Sequence, residues 1–469
     1  MIFTHHGIVK ASGSFIFSGN VNATAHPCLN KDIFKELWRN FTFGSSELGT
    51  SASEEYIFSI GNAKKLPLDG NAYSINVQKE GLCICADNER DLIHGFMTLI
   101  DRFKAIDLGE ESAVELEYCE IRDRAAIQTR MVHFCIFPET ELWELQRFIR
   151  LCGALKYTHV ILEFWGTLKY NCMKELSWSF AFTKEQIRPI IREAKELGLE
   201  IIPMFNHWGH ATASRVMHGK HVVLDQNPTL QTYFSDDGWC WDIRKPKVKE
   251  LLRQIRSELI ELCGDGGYFH IGCDEAYHFE FTDENMKALS DFINEISDEL
   301  TAVGRRAIMW GDMLLYKHPH YNPKNRYCCN APSPEVEKYF LKSLKKDIII
   351  ADWQYNSPEA PVETADVFVK AGFDCLLCPW DEGRDEVNAA LETINEYSLM
   401  GFIHTTWHTL TRGMPYVTQM AKGGFEYAEG YKTESSMRTE TAALLRKVMP
   451  AGGDYEKAGW SKIQVGFKW

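Results

Sequence analysis

From about residue 125 onward the sequence alternates short apolar runs with amphipathic helical stretches, and it does so eight times. The runs are TRMVHFCIF (129–137), THVILEFW (158–165), LEIIPMF (199–205), GYFHIG (267–272), RAIMW (306–310), DIIIADW (347–353), FDCLLCPW (373–380) and GFIHTTW (401–407). They read as continuous apolar runs, as strands of a parallel sheet must when helices cover them. The stretches between them have helical spacing. In ELWELQRFIRLCGAL, residues Leu142, Leu145, Phe148, Ile149 and Cys152 share one face. TKEQIRPIIREAKELG opens with Thr183 and Gln186 at capping-box spacing and closes at Gly198, with Pro189 as an interruption. Eight strand–helix units predict an α/β fold of the (β/α)8 TIM-barrel type. A doubly wound open sheet is the alternative. It needs a glycine-rich phosphate loop after its first strand, and HFCIFPETE is not one.

Residues 1–124 lack this rhythm. AYSINVQKEGLCICA alternates like two strands around a turn at Gly81, and ERDLIHGFMTLIDRF reads as an amphipathic helix. We expect a small α+β domain over 1–124, a barrel over 125–450 and a tail over 451–469. The formal net charge is -14 and no basic cluster interrupts it, which argues against a nucleic-acid partner. No window is apolar over the roughly 18 residues that a membrane span needs, and the N-terminus does not read as a signal peptide. The 14 cysteines are scattered through strand and helix patterns, as in a reducing compartment, so we expect a cytoplasmic protein with no membrane partner. Self-association is left open. Cys375 and Cys378 have CxxC spacing but lie inside an apolar strand run with no second pair nearby, so no metal is expected. Asn22 and Asn40 match the glycosylation pattern, which carries no weight without a secretion signal.

Barrel enzymes carry their chemistry at the C-terminal ends of the strands. Those ends here hold Glu163 and Trp165, Asn206 and His210, Asp274 and Glu275, Trp310 and Asp312, Trp353 and Tyr355, Trp380 and Asp381, and Trp407 and His408. Half-exposed strand ends explain one or two tryptophans, not this many, because tryptophan prefers burial. Converging aromatic walls with a few carboxylates describe a carbohydrate pocket, where indoles stack on the apolar faces of sugar rings. In YFHIGCDEAYHFE (268–280) an apolar strand runs straight into Asp274 and Glu275. Two neighbouring anions push one pKa upward, which suits a general acid.

His270-Ile271-Gly272-Cys273-Asp274-Glu275 resembles the H-x-G-x-D-E motif of glycoside hydrolase family 20, the β-N-acetylhexosaminidases. The likeness extends over nearly the whole chain. Residues 73–103 resemble the α+β domain that precedes the barrel, and QTRMVHF the first barrel strand. PMFNHWGHA resembles the third-strand segment, with His210 as the matching histidine. RMVHF, HIGCDEAY and MWGDML look closest to the hexosaminidase D branch. The resemblance implies terminal β-N-acetylhexosaminides as substrates and no metal or cofactor. It implies that Glu275 is the general acid and later the base. Asp274 orients the substrate's acetamido group, whose oxygen attacks the anomeric carbon, and stabilises an oxazolinium-like intermediate with retention. Arg130 takes the place of an arginine that holds sugar hydroxyls. Trp310, Trp353 and Trp407 wall the pocket, and His210 and His270 tune the network.

The chain also departs from the family. CLLCPWDEG lacks the usual Tyr-x-Asp, and Tyr355 is the substitute we expect. The eighth strand has Thr409 where a hydroxyl-binding glutamate is usual, and Asp381, Glu382 or Glu163 are candidates for that role. Cys135 stands where an aspartate is common. Two other functions remain open: a non-catalytic sugar-binding protein, which has no use for an acid beside the acetamide, and a β-hexosidase for unacetylated sugars, which has no use for Asp274.

Overall fold

The computed structural model describes residues 7–107, 112–211, 223–380, 384–407, 410–426 and 434–450. The expected tail over 451–469 lies outside the described residues.

The first part is one mixed sheet with two helices. Strands β1 (Gly7–Phe17), β2 (Gly19–Ala25), β3 (Ser46–Ala52), β4 (Ile57–Gly61), β5 (Tyr73–Gln78), β6 (Gly81–Ala86), β7 (Lys104–Asp107) and β8 (Ser112–Asp123) form it in the order β1-β8-β5-β6-β4-β2-β3, with β7 also on β8. The expected hairpin is β5–β6, and the expected helix is Glu89–Asp101. Asn88 caps that helix by accepting from the N–H of Asp91. The helix Asp32–Phe41 and strands β1 to β4 were not read from the sequence. The helix was within reach, since Ile33, Phe34, Leu37, Trp38 and Phe41 fall at helical spacing and are buried; in β2 the buried residues Val21, Ala23 and Ala25 are small and carry little signal.

The second part is a closed parallel barrel of β9 (Thr129–Cys135), β10 (His159–Glu163), β11 (Glu200–Met204), β12 (Tyr268–His270), β13 (Arg306–Trp310), β14 (Ile349–Trp353), β15 (Asp374–Cys378) and β16 (Gly401–His404). Side chains alternate across a strand, and two separate clusters result. Met131, Ile161, Ile202, Met204, Ile308, Trp310, Ile349, Ala351, Leu376, Cys378 and Ile403 pack together inside the barrel. Their neighbours Val132, Phe134, Val160, Leu162, Phe269, Met309, Ile350 and Leu377 belong to the large outer core. This parity decides which residues reach the mouth. It also separates Cys375, in the outer core, from Cys378, in the inner one, so the two thiols face opposite sides of the wall.

The helix Lys184–Glu196 has the expected capping box: the N–H of Gln186 donates to Thr183 Oγ1 at 3.3 Å, and the N–H of Thr183 to Gln186 Oε1 at 2.9 Å. Pro189 sits on its exposed face, where the carbonyl that loses its partner meets water. Among the described residues no helix is long and apolar enough to cross a membrane.

Candidate active site

The segment after β12 turns sharply. Gly272, Cys273 and Glu275 all have positive φ, at 67°, 77° and 49°. Gly272 has a physical reason: a Cβ there would sit 1.6 Å from Asn206 Oδ1. The segment after β11 packs against this turn. The N–H of His207 donates to the carbonyl of Ile271, and a Cβ on Gly209 would meet the carbonyl oxygen of Asp274 at 1.8 Å. His210, at φ 50°, is thereby brought over the carboxylate pair. Non-glycine residues in the left-handed region are strained, and such strain gathers where side chains must be aimed.

His210 Nε2 lies 2.6 Å from Glu275 Oε2 and 3.5 Å from Asp274 Oδ2. One imidazole thus bridges both carboxylates. Asp274 is nearly buried and Glu275 less so, with side-chain exposures of 9% and 23%. Burial pushes the Asp274 carboxyl up to about 7; His210 opposes the rise, and Asp312, Glu275 and Glu163 add to it. Asp274 Oδ1 is buried with no partner in the protein. Such an orphan acceptor is rare and calls for an explanation.

Asp312, just past β13, braces the pair. Its Oδ2 accepts from the backbone N–H of Glu275 at 3.0 Å and from Asn330 Nδ2 at 2.8 Å, and its Oδ1 from Trp353 Nε1 at 3.0 Å. Burial still raises its carboxyl to about 6, against those three donors.

The aromatic wall is continuous. Trp310 is fully buried, with its ring 4.3 Å from His270 and 5.9 Å from Trp407. Trp407 donates its indole N–H to the Tyr355 hydroxyl at 2.6 Å, and Tyr355 lies 4.9 Å from Trp353 and 5.1 Å from Trp380. Burial, with His133 adding, holds the His270 imidazole well below its ordinary value, so it is neutral. Glu163 lies deeper: His133 Nε2 is 2.8 Å from one of its carboxylate oxygens and Asn206 Nδ2 is 3.0 Å from the other.

The structure therefore gathers Asp274, Glu275, His210, His270, Glu163, Trp310, Trp353, Tyr355 and Trp407 at one end of the barrel. It does not bring Arg130 there, which corrects the expectation drawn from the sequence. Arg130 is the second residue of β9 and has the parity of Val132 and Phe134, so it points outward near the opposite end. Its guanidinium donates to the backbone carbonyls of Ile127, Gln128 and Lys156 at 2.6–3.1 Å. Asp381, Glu382, His408 and Thr409 lie outside the described residues.

Sequence reasoning missed His133, Asp312 as a brace, and Trp239. His133 was within reach of it, since it shares the inward parity of Met131. Trp239 was not, because it lies in an aperiodic stretch 36 residues before Glu275.

Residues 159–383 match the model of the glycosyl hydrolase family 20 catalytic domain, a span that includes the H-x-G-x-D-E segment at 270–275. The match supports assigning the chain to glycosyl hydrolase family 20. Family 20 relatives agree in fold. The chain superposes on a family 20 exo β-N-acetylglucosaminidase from Vibrio harveyi with a TM-score of 0.67 and 16% identity, covering 95% of this chain and 76% of that one. It superposes on a β-N-acetylhexosaminidase from Bacteroides fragilis with a TM-score of 0.65 and 14% identity, covering 94% of each. In sequence it is 21% identical over 339 residues to a lacto-N-biosidase of Bifidobacterium bifidum and 24% identical over 307 residues to a beta-hexosaminidase of Porphyromonas gingivalis. Those alignments span 67% and 57% of this chain but only 27% and 39% of the relatives' lengths.

Proposed function

We propose that this family 20 chain is a retaining exo-β-N-acetylhexosaminidase, releasing terminal β-linked N-acetylglucosamine or N-acetylgalactosamine by substrate-assisted catalysis. The observation that carries the reading is the unpartnered, buried Oδ1 of Asp274 beside a general-acid candidate. An acetamido N–H donated to that oxygen turns the substrate's own carbonyl oxygen toward the anomeric carbon. Asp274, ionised, then faces the positive charge of the oxazolinium-like intermediate, in a setting where water is already excluded.

Glu275 protonates the leaving oxygen and later draws the proton from the attacking water. His210 holds that carboxylate in place. Tyr355 already accepts the indole N–H of Trp407, and its own O–H stays available to the acetamido carbonyl. Trp310, Trp353 and Trp407 enclose the acetamido methyl and the sugar face. Glu163, with both oxygens engaged by His133 and Asn206, shapes the floor of the pocket.

The 14 cysteines are all free thiols, which supports a reducing, cytoplasmic setting. The deciding experiment is a panel of nitrophenyl β-glycosides of GlcNAc, GalNAc, Glc and Gal. Cleavage confined to the N-acetylated pair supports the reading, and their ratio gives the preference at C4. Equal cleavage of the unacetylated sugars overturns it, as does binding of all four without turnover.

A further inference from the structure

Aromatic side chains flank Glu275 on two different sides of the barrel mouth. Trp310, Trp353, Tyr355 and Trp407 come from β13, β14 and the ends of β14 and β16. The second group is Trp239, from the segment between β11 and the helix Pro246–Cys263, and Tyr277, two residues beyond Glu275. Trp239 donates its indole N–H to the carbonyl of Glu275 at 2.5 Å, and its ring lies 4.7 Å from His210. The rings of Trp239 and Tyr277 are 6.2 Å apart with planes only 27° from parallel. Tyr277 is 56% exposed.

A brace for the backbone of Glu275 explains Trp239, and the Tyr277 hydroxyl bonds the Glu275 carboxylate. Neither contact explains why the tyrosine ring is exposed and set nearly parallel beside the indole. We propose that Trp239 and Tyr277 form the leaving-group subsite of this enzyme, and that its occupant is a second pyranose ring. This rests on the glycosidase reading above. A general acid stands at the bond it breaks, with the glycone on one side and the leaving group on the other. The orphan oxygen of Asp274 and the buried wall around Trp310 mark the glycone side. The Trp239–Tyr277 ledge is then on the leaving-group side, offering an aromatic face to the C–H face of a sugar.

The test compares two substrates that share a glycone: the β-linked disaccharide of the preferred N-acetylhexosamine, and its β-glycosyl fluoride, whose leaving group has no ring. The quantity read is the ratio of kcat/KM, disaccharide over fluoride, in wild type, Tyr277→Ala, Tyr277→Phe and Trp239→Phe. Loss of one aromatic–sugar contact should lower the ratio roughly three- to tenfold in Tyr277→Ala. Tyr277→Phe and Trp239→Phe retain a ring and should keep most of it. A ratio in Tyr277→Ala within twofold of wild type overturns the subsite while leaving the glycosidase reading intact. A fall as large in Tyr277→Phe as in Tyr277→Ala also overturns it, because the phenol's hydrogen bonding and not its face would then be responsible. If the wild type cleaves neither substrate, the reaction itself is misassigned and the subsite falls with it.

Discussion

The backbone N–H of Glu275 donates to Oδ2 of Asp312 across 3.0 Å, and the same carboxylate holds the indole N–H of Trp353. One buried side chain from the end of β13 thus sets the position of the acid and of a wall of its pocket together. Asparagine cannot replace it, because its amide NH₂ would face donors on one side. Asp312→Asn should destabilise the fold by about 1–3 kcal/mol, the cost of leaving buried donors unpaired, and lower kcat. Denaturant unfolding and steady-state kinetics on the aryl glycoside check both. Wild-type stability together with wild-type kcat would refute the bracing role.

Glu275→Gln removes the proton that the leaving oxygen needs. The loss should be on the order of 10²–10⁴-fold in rate, largest for poor leaving groups. A series of aryl glycosides of graded leaving-group pKa reads this directly. Equal losses along the series would argue against Glu275 as the acid.

Asp274→Asn should reduce kcat more than it raises KM, because the interaction strengthens as positive charge develops. A thiazoline mimic of the cyclised intermediate should inhibit wild type strongly and this variant weakly. The same substitution should stabilise the fold at neutral to alkaline pH. The Asp274 carboxyl is raised from 3.8 to about 7, so folding favours its protonated form. Its penalty is absent below the unfolded value, grows as pH rises between the two, and is complete above the folded value. The gain in Tm on Asp274→Asn should therefore be larger at pH 8 than at pH 5.

The activity of the wild type should fall on the acid side as Asp274 takes up its proton. His210 opposes the rise in the Asp274 pKa. His210→Gln should therefore move the acid limb of the kcat/KM profile to higher pH, besides lowering the maximum through the loss of its contact with Glu275. A limb that moves to lower pH would contradict the arrangement.

Arg130→Met should cost stability rather than recognition. It strips donors from the buried carbonyls of Ile127, Gln128 and Lys156, at about 1–3 kcal/mol for each group left unpaired. Thermal unfolding should show a clear drop, with KM for the aryl glycoside within about twofold of wild type. A KM increase on the order of tenfold with an unchanged Tm would restore Arg130 to sugar binding.

The sequence by itself was sufficient for the barrel and for the acid pair. Eight apolar runs spaced by helical patterns leave few other ways to bury so many two-faced strands, and H-x-G-x-D-E is local: its glycine and its carboxylates sit within six residues. What the linear pattern could not give was direction. Arg130 and Met131 are neighbours in the chain, yet one faces the helices and the other the interior, since a strand alternates its side chains. A motif match that ignores this parity puts a buried structural arginine in a sugar site. His133 and Glu163 come from β9 and β10 and Asn206 from just past the end of β11, Asp312 reaches the backbone of Glu275 from 37 residues away, and Trp239 meets it from a stretch with no periodic signal. Such contacts exist only once the barrel closes, because closure alone brings the ends of separate strands to one rim.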